Sequence, residues 1–143
     1  MLAGLSVVPE SDVLVIMAGT NDFLPEFVDW TIEDSMDRLL RIADEVTADR
    51  VVLSAIAPND FRAASTQSFN RSLRELAARE GWAWVDPWPT ARAADGTYLA
   101  GSSQDGIHPT PEVEERVGIQ LRSAVLLAGL ARERGGGQLE PSK

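Results

Sequence analysis

The sequence predicts an open α/β fold, a parallel sheet with helices on both faces, and three observations carry that prediction. Three short apolar runs, residues 12–18 (DVLVIMA), 51–57 (VVLSAIA) and 82–85 (WAWV), alternate with three stretches of helical periodicity. The first two runs are apolar throughout rather than at every second position, which is the pattern of strands buried on both faces of a parallel sheet. Each run stops at a polar, turn-forming loop, and strand–helix alternation of this kind calls for right-handed crossovers.

The first run ends in Gly19-Thr20-Asn21-Asp22. A helical stripe follows, with Ile32, Met36, Leu39, Leu40, Ala43 and Val46 on one face, and Thr31 and Asp34 have the spacing of a capping box that satisfies orphan N–H groups. The second run stops at Pro58-Asn59-Asp60. Phe69, Leu73, Leu76 and Ala77 mark the next helix, with Ser65 or Thr66 as its expected N-cap and Gly81 where a left-handed C-terminal cap belongs. The third run is followed by Asp86-Pro87, an Asp95-Gly96 turn and Asp105-Gly106-Ile107-His108-Pro109. The last helix is expected from Thr110-Pro111, with proline at its first position and Glu112, Glu114 and Glu115 at the positive end of its dipole. It should run to about residue 134 and stop at Gly135-Gly136-Gly137, leaving 135–143 as a disordered tail. No internal repeat and no interdomain linker interrupts this order, so residues 1–134 read as one unit.

Composition narrows the function. The 143 residues include 13 Lys and Arg against 22 Asp and Glu, a net charge of −9, and 44% are hydrophobic. That fraction supports a core, while the acidity argues against nucleic acid and against an anionic membrane surface. With no cysteine, disulfides, thiolate zinc sites and a cysteine nucleophile are excluded. No apolar run approaches the roughly 20 residues of a transmembrane helix. No basic stretch precedes an apolar one as in a signal peptide, so a cytoplasmic protein is the default expectation, one that fails if an N-terminal segment has been lost.

Open α/β sheets bind ligands beyond the carboxyl ends of their strands. Two polar segments fall there: 19–22, after the first strand, and 105–108, before the last helix. His108 is the only histidine. Asp105 precedes it by three residues, close enough for its carboxylate to hold the imidazole Nδ1–H and leave Nε2 as a general base. Asn21 offers an amide donor to a developing oxyanion, and Gly19 lets the backbone turn sharply without a side chain. A lone histidine is more often a surface residue or a satisfied core residue, and the aspartate at this spacing is what raises it above that.

Two segments carry a resemblance. Residues 13–22 (VLVIMAGTND) resemble the third conserved block of the SGNH, or GDSL-like, serine ester hydrolases, an apolar strand ending in Gly-x-Asn-Asp. Residues 105–110 (DGIHPT) resemble their fifth block, Asp-x-x-His followed by proline and a small polar residue. Order and intervening elements agree over nearly the whole chain. The resemblance implies a three-layer α/β/α, flavodoxin-like SGNH fold and a hydrolase acting on esters, often acetyl or acyl esters of sugars, lipids or small alcohols. One histidine and scattered carboxylates make no recognisable metal-ligand set, and no cofactor is expected. The resemblance assigns His108 as the base, Asp105 as its orienting acid and Asn21, with Gly19, to the oxyanion hole, while Asp22 reads as structural.

The sequence departs from the family at its start. The family's nucleophile lies in a Gly-Asp-Ser turn after a first strand, well upstream of Gly-x-Asn-Asp, and a further oxyanion-hole glycine lies between them. Only 18 residues precede Gly19 here, and neither element is among them. Ser6 has no buried strand before it and lies too near Asn21, and Gly4 fails as the further glycine for the same reason. Ser54 lies inside a strand, and nothing holds Ser102 or Ser103 as an elbow would. The expectation is therefore a fold lacking its first two strands, with strand 12–18 left as an exposed apolar edge through which the chain pairs with itself or with a partner chain. Three accounts fit: a piece of an ordinary esterase, one half of a split esterase, or a non-catalytic SGNH-like binding module. Phe23, Phe27, Trp30 and Phe61 are candidates for an acyl or sugar pocket, though packing beneath loops is the plainer reading. A nucleotide-binding α/β domain lacks support, because there is no Gly-x-Gly-x-x-Gly and no phosphate-binding loop.

Overall fold

The helix that follows the first loop starts where local chemistry dictates. In the computed structural model, which describes residues 11–23 and 31–135, Thr31 caps α1 (Ile32–Glu45). Its Oγ1 accepts from Asp34 N at 3.1 Å, and Asp34 Oδ2 accepts from Thr31 N at 2.8 Å, the reciprocal box the sequence predicts. Helix α2 (Ala63–Glu80) ends at Gly81, whose φ of 69° is the left-handed cap expected there. Helix α3 (Pro111–Gly135) begins at its proline.

Strands β1 (Ser11–Ile16), β2 (Ala48–Ser54) and β3 (Ala83–Val85) form one parallel sheet in the order β1-β2-β3. Val15 lies opposite Val52 and Ile16 opposite Leu53, and Leu53 lies opposite Trp84. On one face, Ile16 and Leu53 pack with Leu39 of α1 and with Phe69, Leu73 and Leu76 of α2. Val52 and Ser54, which alternate with Leu53 in the pleat and so point the other way, are fully buried as well. Helix α3 contacts all three strands. Its Val113 and Val117 build a second cluster with Ala55, Trp88, Ala91 and Tyr98. The architecture is thus the three-layer α/β/α arrangement read from the sequence. No described helix is long and apolar enough to cross a membrane.

Several boundaries differ from expectation, chiefly at β1, β2 and α2. Strand β1 ends at Ile16 rather than residue 18, because the chain is already heading into the turn at Gly19, which has a φ of 117°. Strand β2 starts at Ala48, since ladder hydrogen bonds to β1 recruit the polar Asp49 and Arg50 regardless of their side chains. Past its end, Ala55 and Ile56 stay buried while Ala55 N donates to Val85 O at 2.9 Å. Helix α2 starts three residues early, with Arg62 rather than Ser65 or Thr66 at the cap. Asn59 Oδ1 accepts from the N–H groups of Phe61 and Arg62, both at 3.0 Å, so the asparagine turn initiates the helix. Thr66 is buried within it at 2% exposure. The expected tail at 135–143 falls outside the described residues except for Gly135, which is helical. Gly4, Ser6, Phe27 and Trp30 also lie outside them.

Candidate active site

The loop after β1 is a 3-10 turn, Thr20–Phe23, closed by Asp22 N donating to Gly19 O at 3.1 Å. Asp22 Oδ2 accepts from the buried Ser35 Oγ at 2.6 Å, which ties the turn to α1 and fits the structural role read for Asp22. Gly19 is sterically required. Its φ lies where side chains are strained, and a Cβ there would collide with the edge of the Phe69 ring, 2.3 Å from Cε1. Asn21 is exposed, and among the described residues its amide makes no hydrogen bond.

The loop before α3 is built around one carboxylate. Asp105 Oδ1 accepts from Ile107 N at 2.9 Å and from His108 N at 2.8 Å, while Oδ2 lies 2.7 Å from His108 Nδ1. These bonds, the one to the His108 ring first, hold the Asp105 carboxyl well below the usual carboxylate range. An ionised carboxylate only accepts, so Nδ1 carries the proton and Nε2 of the neutral ring is the acceptor. The histidine side chain is 79% exposed, and its Nε2 has no partner among the described residues. The ring is thus oriented and its Nε2 left open, the geometry that a general base requires.

Three residues that the sequence reading did not single out for this purpose hold that loop in place. Asp60, from the loop after β2, accepts from Tyr98 N through Oδ1 at 2.7 Å and donates its own N–H to Gly106 O at 2.9 Å. A Cβ at Gly106, which has a φ of 75°, would approach Asp60 Oδ2 to 2.8 Å. Tyr98, 8% exposed, donates its hydroxyl to Ile107 O at 3.1 Å. Burial, then the charges of Asp60 and Asp105, push its ionisation up to about 12. Ser103 Oγ accepts from Gly106 N at 2.9 Å and donates to His108 O at 2.6 Å. A usable signal existed for two of them: an aspartate at the carboxyl end of a strand, and the only tyrosine of the chain.

Three of the serines weighed as nucleophiles fall among the described residues. Ser54 is fully buried and donates to Ala55 O at 2.9 Å, Ser102 is 6% exposed, and Ser103 Oγ has two acceptors in reach, His108 O at 2.6 Å and Asp105 Oδ1 at 3.3 Å. Asn21 and the Asp105–His108 pair stand on separate loops, and no hydrogen bond among the described residues joins them. Of the four candidate pocket aromatics, Phe61 is described and is 71% exposed; the side chains of Phe23, Phe27 and Trp30 lie outside the described residues. No group of three metal-ligating side chains occurs among the described residues.

Comparison with known proteins gives a concordant picture. Residues 2–116 match the model of the GDSL-like lipase/acylhydrolase family. The chain is similar to the crystal structure of a GDSL-like lipase from Bacteroides thetaiotaomicron, with a TM-score of 0.70 and 19% identity over 82% of this chain and 63% of that one. It is also similar to a mutant of an acetyl-xylooligosaccharide esterase from Geobacillus, with a TM-score of 0.58 and 16% identity over 92% of this chain and 63% of that one. At such identities the likeness is one of fold. The chain spans about 63% of the length of each of these structures. None of the curated proteins matches it.

Proposed function

The chain belongs to the GDSL-like lipase/acylhydrolase family, and from that premise we propose that it supplies the base, the orienting acid and an oxyanion donor of a serine ester hydrolase. The observation that carries the reading is the 2.7 Å contact between Asp105 Oδ2 and His108 Nδ1, made by a carboxylate that also grips the backbone of the same turn. An imidazole held at Nδ1 presents Nε2 in one tautomer, which is what abstraction of a hydroxyl proton needs.

In this mechanism the nucleophilic serine comes from a segment outside residues 1–143, on the same polypeptide or on a partner chain. Its hydroxyl proton passes to His108 Nε2 as Oγ bonds to the ester carbonyl carbon, and the carbonyl electrons move onto oxygen. The Asn21 amide donates to that oxyanion. As the carbonyl re-forms, the bond to the alcohol breaks and His108 returns the proton to the departing oxygen. Water then repeats the sequence on the acyl-serine, releasing the acid. The substrate class is an acyl or acetyl ester of a sugar, lipid or small alcohol.

Fluorophosphonate labelling of the natively expressed protein, with intact mass and peptide mapping, tests the reading. The adduct should map to a serine outside residues 1–143. In the same protein, His108→Ala should lower ester turnover by roughly 10³-fold or more, and Asn21→Ala by roughly 10²-fold. An adduct on a serine within the 143 residues, or near-normal turnover of the His108 variant, would overturn it.

A further inference from the structure

On the side of the sheet away from β1, helix α2, strand β3 and the loop after it enclose an open cavity of about 520 Å3. Arg71 and Arg74 line it from one face of α2, and Arg92 lines it from the loop opposite. Three of the 13 basic residues of a chain with a net charge of −9 thus converge on one hollow.

The three arginines are held in different ways. Arg92 is fixed: its Nη1 donates to Asp86 Oδ1 at 3.3 Å and its Nη2 to Asp86 Oδ2. Asp86 is itself steadied by the N–H of Trp88 at 3.1 Å. A guanidinium has five donors, so this fork is oriented without being exhausted. Arg71 and Arg74 are exposed and make no ion pair among the described residues. Three positions apart on a helix they are neighbours, and like charges so placed repel. Two carboxylates stand near, exposed Glu75 four positions after Arg71 and Asp86 in the cavity wall, but neither forms an ion pair with Arg71 or Arg74, and an anion between the two arginines would relieve their repulsion.

The walls are rigid enough to form a site. Asn70 accepts from Ile56 N at 2.8 Å and donates to Ile56 O at 3.2 Å, which locks the middle of α2 to the chain leaving β2. Trp84, partly buried on β3, lines the same cavity and offers a flat apolar surface beside the guanidinium groups.

We propose that this cavity binds a small ligand bearing a phosphate or carboxylate group, with the oxyanion among Arg71, Arg74 and Arg92 and an apolar or planar portion against Trp84. Planar, multidentate donors suit either oxyanion. None of these residues belongs to the Asn21 turn or to the Asp105–His108 loop, so the site does not depend on the hydrolase reading.

Isothermal titration calorimetry on the natively expressed protein tests it, with inorganic phosphate, glucose 6-phosphate, glucuronate and uncharged glucose as probes. At least one anionic probe should bind saturably while glucose does not, and the anion preferred distinguishes phosphate from carboxylate. The double variant Arg71→Ala, Arg74→Ala removes two exposed helical side chains for a good helix former. It should weaken that binding about tenfold or more while leaving fluorophosphonate labelling unchanged. No saturable binding of any anion, equal binding of glucose, or undiminished affinity in the double variant would overturn the proposal. Loss of labelling in the parent protein, by contrast, would count only against the hydrolase.

Discussion

Asp105 holds His108 twice, at the ring and at the backbone N–H, so the same carboxylate shapes the turn and orients the imidazole. The turn is in turn held from behind by Tyr98, whose hydroxyl donates to Ile107 O. That bond requires a neutral phenol. Tyr98 ionises at about 12 in the fold against an ordinary value of 10.0, through burial first and then the nearby Asp60 and Asp105 charges. The sign follows directly: the fold favours the protonated form. Its contribution is therefore complete below pH 10.0 and is lost as the pH rises through about 12. Tyr98→Phe should cost about 1 kcal/mol at neutral pH for the lost hydrogen bond. Because Tyr98 is the only tyrosine, the variant should also flatten the alkaline fall in stability, read from denaturant midpoints as a function of pH. A variant with the parent's alkaline slope would place the titrating group elsewhere.

Elements in this chain were legible where their determinants are local. The Thr31–Asp34 box and the Gly81 cap each need a few consecutive residues, and both appear as read. The start of α2 was misplaced because Asn59 sets it through loop geometry. The start of β2 was misplaced because its polar residues are recruited by pairing with a strand some 37 positions earlier, Ser11 opposite Ala48. The same limit applies to the site. Asp105 and His108 are three residues apart and could be paired by spacing, whereas Asp60 and Tyr98 are separated by 38, and no local rule links them. Gly19 joins local and long-range determinants, since its φ of 117° belongs to the turn while the space it vacates belongs to Phe69 of α2. Gly19→Ala should destabilise by roughly 1–3 kcal/mol from backbone strain alone, with the collision in addition. Phe69→Leu should cost stability by itself and yet combine less than additively with Gly19→Ala, because the new methyl group enters the space the ring leaves. Strict additivity across the four proteins in urea titrations would show that this contact does not position the turn.

At the scale of the whole molecule, two apolar surfaces compete to explain how the chain behaves in solution. Among the described residues β1 is an outer strand that pairs only with β2, and Val15 and Met17 are 38% and 47% exposed. Helix α3 carries Ile119, Leu126 and Leu130 on its outer side, each more than half exposed. The net charge of −9 opposes indiscriminate clumping. A strand edge templates another strand, whereas scattered leucines on a helix provide no such register, so β1 is the stronger candidate. The 143-residue chain should therefore elute as a dimer or larger species in size-exclusion chromatography with light scattering. Val15→Lys, which places a charge beside that edge, should shift it toward monomer, and Leu126→Glu with Leu130→Glu should leave it associated. The opposite pattern would move the interface to α3. A monodisperse parent chain with a cooperative melt would mean that the β1 edge is already satisfied and drives no association.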